Sequence, residues 1–404
     1  MPKTIVFCAD GTWNGPGQDD ASDKGRPSTN VFKLFRNLAG VNSDADLRLA
    51  DEQEKELRDA DGNLTQIAKY LHGVGDSDNF LAKILGGTVG AGIVTRIVRG
   101  YTFVSRNYRP GDEIVLLGFS RGAYTARALA GMIVARGLLD GSAMDPADKE
   151  TAYRQGAAVW HDYRRAALAA KHPLLAAFLD VAVLDFPAFL SRPPTAPMIA
   201  DVPIEAVAVW DTVGALGIPV YVQKDVRADL FRFADTKLSD KVRHGFHAIA
   251  VDEQRDDFEP TFWDRDDPRV VQCLFPGAHA DVGGGYQTDG GESLLGDVAL
   301  AWMTAQLAGL GVTFAVTPQI DLPACAAGVA HQPWTELPFS RLPFSPRKFV
   351  LATVPCISPS LFARLRAGAV KAAPGVAGAA YAPANLGSYF VGANLADGVT
   401  VLPL

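Results

Sequence analysis

Cysteine is scarce in this chain of 404 residues. The four cysteines, Cys8, Cys273, Cys325 and Cys356, lie far apart, and no pair has the CxxC spacing of a zinc site. A small disulfide-stapled fold is excluded for the same reason, because such folds crowd cysteines into a short chain. We therefore predict buried thiols, and neither a metal site nor a disulfide framework.

Long apolar runs are also missing. The most apolar segment, Leu174 to Leu190, contains Asp180, Asp185 and Pro187, so it is too short and too charged to predict a transmembrane helix. Peripheral contact with a membrane stays open as a hypothesis. The opening residues MPKTIVFCADG lack the layout of a signal peptide, which predicts synthesis and folding in the cytoplasm.

Clustered positive charge is the third absence. The formal net charge is −7, and the 38 Lys and Arg residues form no long basic run. Nucleic acids are therefore not expected as partners, because neutralising phosphates requires clustered cations. A hydrophobic fraction of 48% with 21% charged residues is typical of a globular protein. The expected partner is small or neutral.

Four short apolar runs end in polar or glycine-rich turns, and they extend over Thr4–Ala9, Glu113–Gly118, Ala206–Trp210 and Val270–Phe275. Helix-like segments between such runs predict an α/β fold with a mostly parallel sheet and helices on both faces. In open parallel sheets the crevice outside the carboxyl ends of the strands is where ligands bind. The polar residues that follow these runs are therefore expected to converge.

One domain of residues 1–404 is expected, with two appendages. Residues 140–203 form a helical insertion, which is either a cap over a pocket or a pair of packing helices. Residues 317–404, rich in proline and alanine, predict an irregular section packed on the core. The glycines in residues 86–100 match neither a P-loop nor a dinucleotide fingerprint, and they favour close helix packing.

The motif Gly118-Phe119-Ser120-Arg121-Gly122 follows an apolar strand and precedes a helical stretch. This is the setting of a nucleophilic serine, which must lie on a sharp strand-to-helix turn with its hydroxyl exposed. The turn also directs the backbone N–H of Arg121 towards the place where an oxyanion would form. Ser120 is therefore the candidate nucleophile, and Arg121 a candidate oxyanion donor.

A serine nucleophile needs a base and an acid that orients the base. In α/β-hydrolases the chain order is Ser, then Asp or Glu, then His, and Asp211 and His279 fit this order at strand ends. Asp281 competes for the role of the acid but is better placed to brace the glycine-rich loop after His279. His247, on a helix predicted over Leu238–Val251, is the reserve base.

The first strand ends at Asp10-Gly11-Thr12, a triplet also found in aspartyl-phosphate phosphatases. Those enzymes require a second aspartate two residues earlier, where this chain has Cys8, so the phosphatase hypothesis fails. We instead expect the backbone N–H of Gly11 or Thr12 to supply the second oxyanion donor, and Asp10 to hold the turn.

Six motifs in one order carry a family resemblance: ADGTWNG, HGVGD, PGDEIVLLGFSRGAYTARALAGMI, VAVWDTVGALGIP, FHAIAVDEQRDDFEPTFW and FPGAHADVGGGY. Together they resemble the domain-of-unknown-function hydrolases related to type VI secretion phospholipase effectors, the first lipase class among them. The resemblance implies an α/β-hydrolase-like fold and the triad Ser120, Asp211 and His279. It also implies phospholipid acyl esters as substrates, a cognate immunity protein, and export by a type VI secretion system. Asp76, where threonine is expected, departs from the pattern.

The residues and the resemblance together predict a serine esterase that works through an acyl-enzyme without metal or organic cofactor. The alternatives are a small-molecule esterase with no membrane role and a non-catalytic hydrolase-fold binding protein. An intact triad argues against the second.

Overall fold

A computed structural model describes residues 2–11, 28–42, 52–72, 89–145, 147–171, 194–213, 237–264, 267–337, 339–392 and 394–403. The helices are α1 Asn30–Asn37, α2 Val89–Asn107, α3 Arg121–Arg136, α4 Lys149–Lys171, α5 His279–Gly283, α6 Leu294–Gly309, α7 Leu322–Ala326 and α8 Pro359–Arg366. The strands are β1 Thr4–Ala9, β2 Val41–Asn42, β3 Glu52–Arg58, β4 Leu64–Leu71, β5 Glu113–Phe119, β6 Leu138–Leu139, β7 Met198–Ile199, β8 Ile204–Trp210, β9 Val242–Ala250, β10 Val270–Phe275, β11 Cys356–Ile357, β12 Phe390–Val391, β13 Asn394–Leu395 and β14 Thr400–Val401.

The central sheet formed by the described residues has ten strands in the order β14-β11-β10-β9-β8-β5-β1-β4-β3-β2. In this order, all neighbouring strands between β14 at one end and β4 are parallel. At the other end, β3 is antiparallel to β4, and β2 is antiparallel to β3. All four predicted strands are present. Their carboxyl ends lie at one edge of the sheet, as the sequence predicts.

The central strands are buried on both faces, which is why they read as continuous apolar runs. In β1, Ile5 and Phe7 belong to the core that α2, α3 and α4 cover, whereas Val6 and Cys8 face the core under α1 and α6. This is the two-layered covering of an α/β-hydrolase-like fold. The close approach of α2 to this sheet needs Gly100, where a Cβ would lie 2.7 Å from the Phe7 ring.

The prediction of a helix over Leu238–Val251 is wrong, because strand β9 occupies Val242–Ala250. A short apolar run buried on both faces cannot be distinguished from a buried helix by its periodicity. His247 therefore lies inside the sheet.

The two appendages differ in what the structure describes. The insertion contains α4 as predicted, and its residues 172–193 lie outside the described residues. The section 317–404 is largely irregular, but its strands β11 and β14 extend the main sheet in parallel. Over the described ranges, every helix is too short or too polar to cross a membrane.

Candidate active site

Ser120 lies on a strained turn between β5 and α3. Its backbone has φ 57° and ψ −122°, a conformation that residues with a side chain rarely adopt. Among the described non-glycine residues only Ser120, Asp201 and Asp211 have positive φ, so two of the three are predicted catalytic residues. Strain of this kind persists where the surrounding structure enforces it, and it is frequent at active sites.

The two glycines of the GxSxG motif permit this turn because the backbone is crowded around them. A Cβ on Gly118 would lie 2.3 Å from the Gly122 carbonyl oxygen. A Cβ on Gly122 would lie 2.1 Å from the carbonyl oxygen of Ala9, at the end of β1. No side chain fits at either position, so the motif is required for α3 to pack against the end of β1.

The sheet register brings the strand ends together. Phe119 pairs with Trp210, so Ser120 and Asp211 follow neighbouring strands at the same level. The Ser120 N–H donates to the Trp210 carbonyl oxygen at 3.1 Å. On the other side, Ala250 pairs with Phe275, the last residue before the loop that leads to His279.

Asp211 and His279 form a buried pair. His279 Nδ1 lies 2.5 Å from Asp211 Oδ2, and both side chains are shielded from solvent. His279 Nε2 is also buried, and it has no hydrogen-bond partner among the described residues. Burial lowers the pKa of His279, and the hydrogen bond and charge of Asp211 oppose this effect without reversing it. The net effect is a pKa below the ordinary value of a histidine, which favours the neutral imidazole.

Aromatic rings fix the plane of the His279 imidazole. Phe119, the residue before the serine, lies against it with ring centroids 4.6 Å apart, and Phe258 meets it edge-on at 5.0 Å. A Cβ on Gly283 would lie 2.0 Å from the Phe119 ring, so α5 can lie against the serine turn only with glycine there. The Phe119 ring therefore connects the turn that carries Ser120 to the His279 imidazole.

Arg347, from the C-terminal section, binds the Asp211 carboxylate with two parallel hydrogen bonds. Its Nη1 donates to Oδ1 at 2.7 Å and its Nη2 donates to Oδ2 at 2.9 Å. The Ala250 N–H donates to Oδ1 as well, at 3.0 Å. Burial raises the pKa of Asp211, but Arg347 and His279 outweigh it and hold that pKa well below its ordinary value. Asp211 is therefore a permanent carboxylate.

Three carboxylates hold three consecutive backbone amides at the start of α5. Gly277 N–H donates to Asp252 Oδ2 at 2.7 Å, Ala278 N–H to Asp281 Oδ2 at 2.8 Å, and His279 N–H to Glu253 Oε2 at 3.2 Å. The structure thus places Asp281 as the brace of the histidine loop. The carboxylate at His279 Nδ1 is that of Asp211.

Each of these three carboxylates has a further partner. Arg255 forms a buried ion pair with Glu253, and its charge outweighs burial to lower the pKa of that carboxyl. Tyr381 donates to Asp252, and His331 Nδ1 lies 2.7 Å from Asp281 Oδ1. Tyr381 and His331 belong to the C-terminal section, so that section supports the histidine loop from outside the sheet.

His247, the predicted reserve base, bonds to the turn that carries Asp211. Its Nε2 accepts the Thr212 N–H at 3.0 Å, directly after Asp211, and its ring is buried edge-on against Trp263. Burial and the charge of Arg127 lower the pKa of His247 to about 3. The ring therefore stays neutral and holds the turn that carries Asp211.

The turn after β1 lies beside the serine. A Cβ on Gly11 would be 3.3 Å from the Ser120 Cβ, which places Gly11 next to the nucleophile. Its N–H donates to Asp10 Oδ1 at 2.6 Å, so it would have to exchange that bond to serve an oxyanion. Thr12 lies outside the described residues. Arg121 begins α3, as the predicted oxyanion donor requires.

Sequence reasoning missed the support of the site. Asp252 and Glu253 form an acidic pair in the VDEQR stretch, but no feature of the sequence indicates that they bind the His279 loop. Arg347 gave no signal, because it stands in an irregular proline-rich segment, 136 residues after Asp211. Contacts of that sequence separation follow only from the folded chain.

The sheet and the strained serine turn define an α/β-hydrolase-like protein. The family model described as the catalytic domain of Tle1-like phospholipase effectors of type VI secretion systems matches residues 3–306. The chain belongs to this family. The matched residues include every predicted catalytic residue, and Arg347 lies beyond them.

Individual relatives are more distant. An uncharacterized protein of Saccharomyces cerevisiae, YEL023C, is 26% identical over 270 residues, which are 64% of this chain and 32% of that protein. The chain thus spans about a third of the length of this curated relative.

Two solved structures each share 18% identity with the chain. An uncharacterized protein from Pseudomonas aeruginosa has a TM-score of 0.44, with 78% of this chain and 47% of that chain covered. The Tle1 effector bound to the VgrG spike of the type 6 secretion system has a TM-score of 0.36, with coverage of 71% and 51%.

Proposed function

We propose that this protein is a serine hydrolase that cleaves the acyl ester bonds of phospholipids through an acyl-enzyme. The observation that carries the proposal is the buried Asp211–His279 pair, 2.5 Å apart, beside a serine held at positive φ. Membership of the Tle1-like phospholipase effector family favours a lipid ester as the substrate.

In the proposed reaction, Ser120 Oγ attacks the ester carbonyl carbon while His279 Nε2 takes the hydroxyl proton. The backbone N–H groups of Arg121 and of the turn after β1 stabilise the tetrahedral oxyanion. The imidazolium then returns the proton to the leaving alkoxide. Water, deprotonated by the same nitrogen, attacks the acyl-enzyme and releases the fatty acid.

The test compares turnover of a short-chain nitrophenyl ester and a fluorogenic phospholipid by wild type and Ser120→Ala. We expect the variant to lose at least about a thousandfold in kcat. Ser142→Ala, at an exposed serine in the same chain, is the matched control and should retain wild-type rates. A fluorophosphonate probe should label wild type and the control but not Ser120→Ala.

The outcomes separate the alternatives. Cleavage of the nitrophenyl ester without the phospholipid would replace the lipase by a small-molecule esterase. No cleavage and no labelling of a folded wild type would contradict a serine hydrolase and favour a non-catalytic binding protein.

Family membership also supports delivery by a type VI secretion system into the envelope of a rival cell, with a cognate immunity protein in the producer. Directing the protein to the periplasm of a test bacterium should then lyse it, whereas Ser120→Ala at equal abundance should be harmless. Equal toxicity of both proteins would contradict a hydrolytic effector.

A further inference from the structure

Arg347 is buried against the Asp211 carboxylate. It is 7% exposed, and its two terminal nitrogens contact both oxygens of Asp211. The same nitrogens donate to the backbone carbonyls of Ala250 and Phe258, so the guanidinium is fixed at four points. A planar fork held in this way cannot move without moving the carboxylate.

The segment around Arg347 is docked on the chain that follows β9. Ser345 N–H donates to the Gln254 carbonyl oxygen at 2.7 Å, and its hydroxyl donates to Asp256 Oδ1 at 2.8 Å. Arg255 pairs with Phe344 in an isolated bridge. Arg347 therefore reaches Asp211 from a segment that these contacts anchor, although it lies outside residues 3–306 that match the family model.

Arg347 and His279 share one oxygen of the acid. Asp211 Oδ2 lies 2.5 Å from His279 Nδ1 and 2.9 Å from Arg347 Nη2. A carboxylate whose charge is already compensated stabilises a neighbouring imidazolium less than a bare carboxylate does. Arg347 thus favours the neutral imidazole while it fixes the oxygen that orients the ring.

We propose that Arg347 is a positioning residue of the active site, which orients Asp211 and sets the basicity of His279 through the shared carboxylate. This inference rests on the proposed Ser120 mechanism. The charged and titratable groups near His279 other than Arg347 are Asp211, Glu253 and Arg255, and at the start of α5 Asp281 with its partner His331. None of them is substituted in the single variants of Arg347.

The test measures kcat and the pH dependence of kcat/KM for Arg347→Met. Removing the guanidinium lets Asp211 stabilise the imidazolium, so the midpoint of the acidic limb should move upward by about one pH unit. Loss of orientation should reduce kcat by about tenfold to a hundredfold. In an Asp211→Asn background the same substitution should reduce kcat by less than about threefold, because the shared carboxylate is gone.

Two controls separate this effect from loss of charge and from loss of packing. Lys348→Met removes the same charge at the next residue, which is exposed, and should leave the acidic limb unchanged. Arg364→Met removes a fully buried guanidinium that donates to the carbonyls of Ala326, Gly328 and Lys371. It should lower Tm without moving the limb. A loss of kcat in Arg347→Met with an unmoved limb would overturn the proposal.

Arg347→Lys keeps the charge but loses the two-pronged geometry. We expect the acidic limb of its kcat/KM profile at the wild-type position and a kcat reduced about tenfold. If Arg347→Met does not fold, this variant tests the positioning role instead. An unchanged kcat in Arg347→Lys would contradict the positioning role.

A readout without turnover keeps this inference distinct from the proposed function. The imidazole of His279 can be titrated by NMR, with its signal assigned through His279→Asn. An upward shift in Arg347→Met supports the proposal even if no ester is cleaved, in which case only the esterase proposal fails. A titration identical to wild type overturns the role of Arg347.

Discussion

Asp10 and Asp211 both follow a central strand at the same edge of the sheet, and both are buried, yet their carboxyl groups have opposite properties. Asp10 accepts hydrogen bonds from neutral donors, the Tyr70 hydroxyl at 2.6 Å and the Thr29 hydroxyl at 2.7 Å, and the charge of Arg96 is only a small further influence on it. Burial raises its pKa to about 7 despite these bonds. At Asp211 a guanidinium and an imidazole outweigh burial and hold the pKa low. The neighbours, rather than the burial, decide which aspartate is a permanent anion.

This contrast bears on the proposed mechanism. In that mechanism the carboxylate that stabilises a transient imidazolium has to be charged at every working pH, and of these two aspartates Asp211 meets that condition. A carboxyl group with a pKa near 7 can serve in a structural hydrogen-bond network. Asp10 connects the turn after β1 to Thr29, at the N-terminus of α1, and to Tyr70 of β4.

The largest effect should come from removing the charge of Asp211. Asp211→Asn keeps the shape but favours the wrong imidazole tautomer, and we expect kcat to fall about ten-thousand-fold. Asp10→Asn is the matched substitution at the other strand end and should cost at most about tenfold. Both kcat values are measured on one ester at one pH. Equal losses in Asp211→Asn and Asp10→Asn would contradict the difference between the two aspartates.

A second, smaller effect should follow from His247→Leu. The Thr212 N–H loses its acceptor inside the protein, and the turn that carries Asp211 shifts, so kcat should fall about tenfold to a hundredfold. His247 is neutral throughout the working range, because its pKa lies near 3. The acidic limb of the rate profile should therefore stay in place. A limb that moved would mean that His247 titrates with the site.

Much of the site could be predicted because its signals are local. Ser120 stands in a five-residue motif, and Asp211 and His279 directly follow apolar runs that read as strands. His247 shows the limit, since its run fits a helix or a doubly buried strand equally well. The supports of the site could not be predicted, because Arg347, His331 and Tyr381 reach it through contacts between residues far apart in the chain.

The third prediction concerns stability. The raised pKa of Asp10 means that the unfolded chain loses this proton near pH 4 and the folded chain near pH 7. The folded state is therefore penalised progressively as pH rises between these values. Asp10→Asn removes the penalty, so its Tm relative to wild type should increase by roughly 5 °C from pH 4 to pH 8.

Asp61→Asn, at an exposed aspartate, is the control for loss of one negative charge. A Tm difference for Asp10→Asn that is flat across this range, or that falls as pH rises, would contradict the raised pKa. Asp10 would then resemble Asp211, and the contrast between the two strand ends would disappear.

The smallest effect extends the comparison to the histidine loop. The Tyr381 hydroxyl lies 2.9 Å from both oxygens of Asp252, whose pKa burial raises to about 6 although the Gly277 amide and Tyr381 lower it. A hydrogen bond to a carboxylate is worth more than one to a neutral acid, about 1.5–3 kcal/mol against about 1 kcal/mol. Tyr381→Phe should therefore cost more stability at pH 8 than at pH 4.5.

Urea unfolding of wild type and Tyr381→Phe at both pH values measures this difference directly. Tyr389→Phe is the matched control, because its hydroxyl donates to the Val354 carbonyl oxygen, which does not titrate in this range. Its cost should be equal at both pH values. If Tyr381→Phe behaved in the same way, Asp252 would not change its charge in the folded protein between these pH values, and its likeness to Asp10 would fail.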